Sequence, residues 1–228
     1  VHSGIRRSQY NEVSEAIFLT QSYVYETAED AEKRFSEDIP KDKFIYTRYG
    51  NPTIAMFEDK IATLEGAEAA FATASGMAAV NGALMSVLSS GDHVVAARAL
   101  FGSCLYILEK ILPSFGVKVT FVDGTDIDQW KGAITSQTNV VFFESISNPT
   151  LEVIDIKAVS EIAKSAGAIT IVDNVFTTPI FSNALSLGAD VVIYSATKHI
   201  DGQGRTLGGV ILGSADYIYN SVEPFMKH

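Results

Sequence analysis

From Thr53 onward, short apolar runs alternate with segments whose apolar residues recur at helical spacing. Continuous apolar runs are typical of strands covered on both faces of a sheet, and the other spacing indicates amphipathic helices. Their alternation predicts an α/β fold with a mostly parallel sheet, flanked by helices and joined by right-handed crossovers. The predicted strands are 69–73, 93–97, 117–122, 139–143, 168–172 and 189–194, and the predicted helices are 53–66, 76–88, 102–115, 155–166 and 181–187.

The first part of the chain lacks this alternation. It contains polar stretches and the loop-like sequence Tyr49-Gly50-Asn51-Pro52. Such a segment is more typical of an arm that lies on another surface than of a domain with its own core. We therefore predict two parts, an N-terminal arm of residues 1–56 and a large α/β domain of residues 57–228.

Composition narrows the possible partners. The chain has 228 residues, 47% of them hydrophobic, which is enough for the core of one α/β domain. Its net charge of −10 disfavours binding to nucleic acid, and no apolar stretch reaches the roughly 18–20 residues of a membrane span. A single cysteine, Cys104, excludes an internal disulfide and is predicted to be a small core residue at the start of a helix. We expect a cytoplasmic protein with neither nucleic acid nor a membrane as its partner.

The most informative residues are a lysine and an aspartate at the ends of two predicted strands. Lys198 follows the apolar run 191–194, and Asp173 follows the run 168–172. Ligands bind at the carboxyl ends of strands in open α/β sheets. There, the lysine would form a Schiff base with pyridoxal phosphate (PLP), and the aspartate would keep the cofactor's pyridine nitrogen protonated. As alternatives, Asp173 caps a turn, or Lys198 is simply exposed or paired; burial would lower the pKa of the amine.

A phosphate site is predicted where strand 69–73 turns into helix 76–88. The free N–H groups of Ser75-Gly76-Met77 and the helix dipole would attract an anion, and Gly76 would allow its close approach. Ser195 and Thr197 are near enough to Lys198 to donate hydroxyls to the same phosphate. The alternatives are that Ser75 only caps the helix, and that the other two hydroxyls satisfy backbone groups.

Four further residues are candidates for cofactor contacts. Tyr46 and Arg48 place a phenol and a guanidinium on one side of an extended segment, which suits phosphate, although a solvated arginine is the simpler interpretation. Phe101 could stack on the cofactor or pack in the core. Asn148 is most simply a turn residue, but its amide could also bond the cofactor's phenolate oxygen. We interpret His199 as structural, and we predict no metal site.

Taken in order, these motifs resemble the cystathionine-synthase and methionine-lyase family of PLP enzymes, and the resemblance covers the whole chain. It implies the PLP-dependent transferase fold, which is aspartate-aminotransferase-like and known as fold type I. The motifs that carry it are Tyr46-Thr47-Arg48-Tyr49-Gly50-Asn51-Pro52-Thr53, Ser75-Gly76-Met77, Glu144-Ser145-Ile146-Ser147-Asn148-Pro149-Thr150, Val172-Asp173-Asn174 and Ser195-Ala196-Thr197-Lys198-His199.

The resemblance also implies roles for individual residues. Lys198 forms the Schiff base and carries protons, and Asp173 pairs with the pyridine nitrogen. Active sites of the family lie between paired chains, so a dimer, usually paired again into a tetramer, is implied. The implied phosphate contacts are Gly76, Met77, Ser195 and Thr197 of the same subunit, and Tyr46 and Arg48 of a neighbouring subunit.

Within the family, Leu100-Phe101-Gly102-Ser103 and the segment 198–205 are most similar to the O-succinylhomoserine sulfhydrylases. The implied reaction is γ-replacement on an acylated homoserine, with sulfide as the second substrate and homocysteine as the product. Lyases of the family typically carry Tyr where this chain has Phe101, and methionine lyases carry Cys where it has Ser103. Cystathionine γ-synthase and methionine or cystathionine γ-lyase activities are the alternatives.

Two other classes of function stay open. Family members continue into a smaller C-terminal domain that supplies an arginine for the substrate α-carboxylate, and we expect that domain to be absent from these 228 residues. A catalytically inactive PLP-binding fragment is therefore one alternative. The other is a nucleotide-binding domain such as a dehydrogenase, but the sequence lacks the G-x-G-x-x-G pattern after its first predicted strand.

Overall fold

The computed structural model describes residues 3–35 and 43–228. The chain forms two compact units, one of residues up to Ile61 together with Lys227, and one of Ala62–Met226 together with His228. Residues 1, 2 and 36–42 of the predicted arm lie outside the described residues. The division at residues 56 and 57, and the contact of the arm with another subunit, stay predictions.

Seven strands form a single sheet in the main unit, in the order β1-β7-β6-β5-β4-β2-β3. Strands β2 to β6 pair in parallel, and β7 pairs antiparallel with both β1 and β6. The mostly parallel α/β sheet is therefore confirmed. The strands are β1 Ala69–Thr73, β2 His93–Ala97, β3 Lys118–Val122, β4 Thr138–Glu144, β5 Ile169–Asp173, β6 Val191–Ser195 and β7 Gly209–Gly213.

Helices connect and cover these strands, and none among the described residues is long and apolar enough to cross a membrane. Two of them contain a π-helical turn, and a separate π-helical turn, Ala196–Ile200, follows β6. The helices are α1 Ala28–Arg34, α2 Pro52–Glu65, α3 Gly76–Met85, α4 Gly102–Tyr106 continued by Ile107–Ile111 and Leu112–Ser114, α5 Ile127–Ala133, α6 Ile156–Ala166, α7 Thr178–Phe181, and α8 Ala215–Tyr217 continued by Ile218–Val222 and Glu223–Lys227.

The core lies on both faces of the sheet, which explains why the strands are continuous apolar runs. On one face, Val140 and Phe142 belong to the cluster that packs with α3 and α4. On the other face, the ring of Phe143 meets the indole of Trp130 from α5 edge to face, with centroids 5.7 Å apart. The indole N–H donates to the Gly124 carbonyl at 2.9 Å, so this fully buried side chain has its one polar group satisfied.

One predicted helix is wrong. The helix in this region is the short α7, which begins with Thr178-Pro179 and ends at Phe181, and residues 184–188 form turns. The Asn183 side chain accepts the backbone N–H of Ser186, and the Ser186 hydroxyl donates to the Asn183 carbonyl. These local hydrogen bonds compete with helical ones, so the apolar spacing does not become a helix. The elements α1, α5, α8 and β7 were not predicted.

Candidate active site

One cavity of about 730 Å³ opens at the carboxyl ends of the parallel strands. This is the edge of the sheet where strand ends converge and backbone groups remain free for a ligand. The cavity brings together nine of the eleven residues predicted for the site. They are Ser75, Gly76, Met77, Phe101, Asn148, Asp173, Ser195, Thr197 and Lys198.

Lys198 lies in the π-helical turn Ala196–Ile200, directly after β6. Its backbone leaves the helical region, with φ −96° and ψ −110°. The side chain is exposed and lines the cavity. An amine that faces the cavity rather than the core is accessible to an incoming aldehyde.

The start of α3 forms the predicted anion cradle. The Ser75 hydroxyl accepts the Ala78 N–H at 3.1 Å, so the capping interpretation of this serine holds. The N–H groups of Gly76 and Met77 belong to the first helical turn, which has no intrahelical acceptors for them. A Cβ on Gly76 would lie 2.7 Å from the Cβ of Ser195, so only glycine allows this close approach. A small backbone-lined cradle at a helix start fits a phosphate.

The two hydroxyls near Lys198 are not equivalent. Thr197 Oγ1 accepts the Gly208 N–H at 3.1 Å and lies 3.2 Å from the Gly208 carbonyl oxygen. This hydroxyl therefore satisfies backbone groups, which was the alternative to a phosphate contact. Within the described part of the chain, the Ser195 hydroxyl makes no hydrogen bond. Ser195 is therefore the better placed of the two to bind an added anion.

Asp173 ends β5 on the cavity wall. Oδ1 accepts the Val175 N–H at 3.1 Å. Burial raises the pKa of this carboxyl to about 7, the neighbouring charge of Glu144 adds to the rise, and the Val175 hydrogen bond opposes it. A cationic ring nitrogen placed against this carboxyl would stabilise its charged form.

Glu144 is a feature of the site that the sequence did not reveal. It ends β4 beside Asp173 in the parallel register and is only 4% exposed. Its oxygens Oε1 and Oε2 accept the backbone N–H groups of Phe101 at 2.6 Å and of Asn148 at 2.7 Å. Burial raises the pKa of Glu144, and these two hydrogen bonds oppose the rise.

Cys104 reaches the same place from the start of α4. It is buried, as predicted, and burial together with the charges of Asp173 and Glu144 raises the pKa of its thiol. One ligand atom from each of these three residues lies within 4.8 Å of the other two. This spacing would suit a metal ion, but both Glu144 oxygens are already bound to backbone N–H groups.

A buried hydrogen-bond network holds the ends of β5 and β6 together. The Asn174 amide donates to the Tyr194 hydroxyl at 2.8 Å and to the Ser182 carbonyl at 2.8 Å. The Tyr194 hydroxyl in turn donates to Glu65. Burial raises the pKa of both Tyr194 and Glu65. The sequence contained one indication of this network, because Asn174 belongs to the same strand-end motif as Asp173.

The remaining predicted residues fall into two groups. Phe101 stands before the first residue of α4, is 43% exposed and lines the cavity, as does Asn148. Tyr46 and Arg48 belong to the N-terminal unit and line a separate groove there. The Arg48 guanidinium lies 4.5 Å from the Tyr49 ring centroid, so it is partly engaged by an aromatic face. Contact of Tyr46 and Arg48 with a neighbouring subunit's cofactor stays a prediction.

Comparison with known proteins identifies the family. Residues 1–228 match the family model described as "Cys/Met metabolism PLP-dependent enzyme". The chain belongs to that family. The predicted resemblance is therefore confirmed, and so is PLP as the cofactor on which the family depends.

The curated relatives include both sulfhydrylases and lyases. An O-succinylhomoserine sulfhydrylase of Mycobacterium tuberculosis is 52% identical over 228 residues, which are 100% of this chain and 56% of that protein. One of Pseudomonas aeruginosa is 49% identical over 95% of this chain and 53% of that protein. An L-methionine gamma-lyase of Fusobacterium nucleatum is 39% identical over 93% and 53%. The chain thus spans about half the length of the curated relatives that it matches.

Solved structures agree with the fold. The crystal structure of metB from Corynebacterium glutamicum matches with a TM-score of 0.90 and 29% identity, over 99% of this chain and 57% of that one. A putative O-acetylhomoserine (thiol)-lyase from Campylobacter jejuni, described with a pyridoxyl-lysine monophosphate, matches with a TM-score of 0.89 and 32% identity, over 94% and 52%. The predicted PLP-dependent transferase fold is confirmed.

Proposed function

We propose that this protein carries out PLP-dependent γ-replacement on O-succinylhomoserine, with sulfide as the second substrate and homocysteine as the product. The observation that carries the proposal is the convergence of nine predicted residues on one cavity at the carboxyl edge of the sheet. The sulfhydrylase relatives, at 52% and 49% identity, support this branch of the family.

The residues present suit the cofactor at each of its polar ends. The cradle of Gly76 and Met77 would hold its phosphate, and Asp173, at the end of β5, would hold its ring nitrogen. Lys198 would reach its aldehyde from the turn after β6, and the Phe101 ring would cover one face. When bound, PLP supplies an electron sink for negative charge at the amino acid's Cα.

The chain's own chemistry is then proton movement and positioning. The Lys198 amine would take the Cα proton of the bound amino acid and return it later, since it lines the cavity directly after β6. Asp173 would remain charged against a cationic ring nitrogen, despite a pKa raised to about 7 without that partner.

The overall reaction needs no oxidant or reductant. The Cγ–O bond of the ester breaks and succinate leaves with the bonding electron pair. Sulfide adds to the same carbon, forming a Cγ–S bond, and its proton balances the charge of the departing carboxylate. Homocysteine and succinate are the two products.

A lyase is the second candidate, since the methionine lyase of Fusobacterium nucleatum is 39% identical. Such an enzyme would release ammonia and a 2-oxo acid instead of retaining the amino group. Phe101 provides a ring without the hydroxyl that could assist this elimination. This difference favours replacement over elimination.

Assembly and location belong to the same proposal. We propose a homo-oligomer in which Tyr46 and Arg48 reach a neighbouring subunit's cofactor phosphate, with a tetramer as the final state. A cytoplasmic location fits a single, buried cysteine.

The direct test supplies O-succinylhomoserine with sulfide, with cysteine, or alone, and identifies the products by mass spectrometry. Homocysteine from the sulfide reaction is the expected result. Cystathionine from cysteine would instead indicate the synthase, and ammonia with 2-oxobutyrate would indicate the lyase. The same substrates given to the Lys198→Ala variant provide the background.

The 228-residue chain and the protein extended to the length of its relatives should be assayed side by side. If the chain binds PLP but only the longer protein turns over substrate, the chain is a cofactor-binding part of the enzyme. If neither forms homocysteine, the proposed reaction is wrong.

A further inference from the structure

One buried carboxylate connects two loops of the cavity that are far apart in sequence. Glu144, at the end of β4, accepts the Phe101 N–H through Oε1 and the Asn148 N–H through Oε2. Phe101 lies after β2 and directly before α4, and Asn148 lies in the loop after β4. Both side chains face the cavity, so one side chain fixes the backbone beneath two proposed cofactor contacts.

No other side chain of the described residues takes over this role. Phe101 occupies the position that caps α4, where its own side chain makes no capping hydrogen bond. Asn148 precedes Pro149, which has no N–H to donate. Charge-assisted hydrogen bonds of 2.6 and 2.7 Å in a buried place are among the stronger contacts that a carboxylate can make.

We propose that Glu144 is a positioning residue for the cofactor: its charged carboxylate holds the backbones of Phe101 and Asn148 at the spacing that PLP requires. The inference rests on the proposed function, since it assumes that PLP occupies this cavity. It assigns Glu144 no contact with PLP and no part in proton transfer.

The charge of Glu144 also affects the ionisation of Asp173. Glu144 faces Asp173 from the adjacent strand, with the Cys104 thiol from α4 as the third member of the cluster. The Tyr194 hydroxyl is a further titratable group near Asp173, and Lys198 and His199 are basic residues that line the same cavity. The charge of Glu144 disfavours ionisation of Asp173 in the absence of cofactor, and a cationic ring nitrogen would relieve both carboxylates.

Two substitutions separate the effect of the length of the Glu144 side chain from the effect of its charge. Glu144→Gln keeps the length but turns an amide NH2 toward one of the two N–H donors and removes the charge. Glu144→Asp keeps the charge but is one methylene shorter, so it cannot reach both loops. Asp190→Asn is the matched control, because the Asp190 carboxylate also accepts a backbone N–H, that of Thr170, at the amino end of β5.

Three quantities are measured on each variant: the PLP dissociation constant by equilibrium dialysis, the Asp173 pKa by carboxyl NMR of the cofactor-free protein, and the free energy of unfolding. We expect both Glu144 variants to bind PLP about tenfold or more weakly than the parent protein. Only Glu144→Gln should lower the Asp173 pKa. Asp190→Asn should affect stability and leave PLP affinity within about twofold.

PLP affinity within about twofold of the parent in either Glu144 variant would overturn the proposal, as would an equal loss in Asp190→Asn. If neither Glu144 variant folds, hydrogen exchange in the parent protein decides: the Phe101 and Asn148 amides should be protected before PLP is added, and fast exchange at both contradicts the proposal. A parent protein that binds no PLP would instead refute the proposed function.

Discussion

At the scale of single residues, the site is governed by a carboxyl group whose neighbours oppose its ionisation. Asp173 lies beside Glu144, and burial together with that charge raises its pKa to about 7. An acid with a higher pKa in the folded state than in the unfolded state binds its proton more tightly when folded. The resulting stability is fully present below pH 3.8 and is lost as the pH rises through about 7.

We therefore expect the stability of the cofactor-free protein to depend on pH through Asp173. Between pH 5 and 8, the free energy of unfolding of the parent should fall more steeply than that of Asp173→Asn, which lacks the titrating group. The excess loss over this range is about 3 kcal/mol, because each pH unit between 5 and about 7 costs about 1.4 kcal/mol. Urea unfolding at a series of pH values measures both slopes. Equal slopes would show that Asp173 does not titrate in this range.

Residue types at strand ends made part of the site predictable. Lys198, Asp173 and Gly76 each follow or precede an apolar run, so the sequence alone placed them at one edge of a sheet. Glu144 also ends such a run, but nothing in the sequence shows that its side chain turns inward to two backbone N–H groups. Thr197 is the opposite case. The sequence suggested its hydroxyl as a phosphate contact, but its backbone partner Gly208 could not be foreseen.

At the scale of elements, the cradle depends on how closely α3 begins beside the end of β6. A Cβ added to Gly76 would meet Ser195 at 2.7 Å, so Gly76→Ala should force the two elements apart. Gly132, in α5, has nothing within 4 Å of an added Cβ and offers the matched control.

We expect Gly76→Ala to lower the free energy of unfolding by about 1–3 kcal/mol and to weaken PLP binding. Gly132→Ala should leave PLP binding unchanged and should stabilise the protein by up to about 1 kcal/mol through helix propensity. Denaturant unfolding and equilibrium dialysis provide both values. Equal PLP affinities for the two variants would mean that the Gly76 cradle does not bind the cofactor.

Some elements could not be predicted from the apolar pattern. β7 is a short run between two glycines, and its antiparallel pairing with β1 and β6 arises from the sheet as a whole. The predicted helix at 181–187 failed because the hydrogen bonds between Asn183 and Ser186 compete with helical ones. Long apolar runs that are covered on both sides, such as β4, were the most reliable signals.

At the scale of the whole molecule, the family resemblance supports more of the predictions than the pattern of apolar residues does. The fold follows from alternating strands and helices, but pairing of subunits and the partner of Tyr46 and Arg48 rest on the family alone. Tyr46 and Arg48 belong to the N-terminal unit, which is compact by itself. The cavity and its chemistry belong entirely to the main unit.

We expect PLP to become covalently bonded to the Lys198 amine. The protein should be incubated with PLP, reduced with borohydride and digested, and the modified peptide identified by mass spectrometry, with Lys198→Ala and the α6 control Lys164→Ala treated alike. We predict a pyridoxyl group on Lys198 in the parent and in Lys164→Ala, and none in Lys198→Ala. A pyridoxyl group on another lysine in the parent, or an undiminished one in Lys198→Ala, would contradict the account.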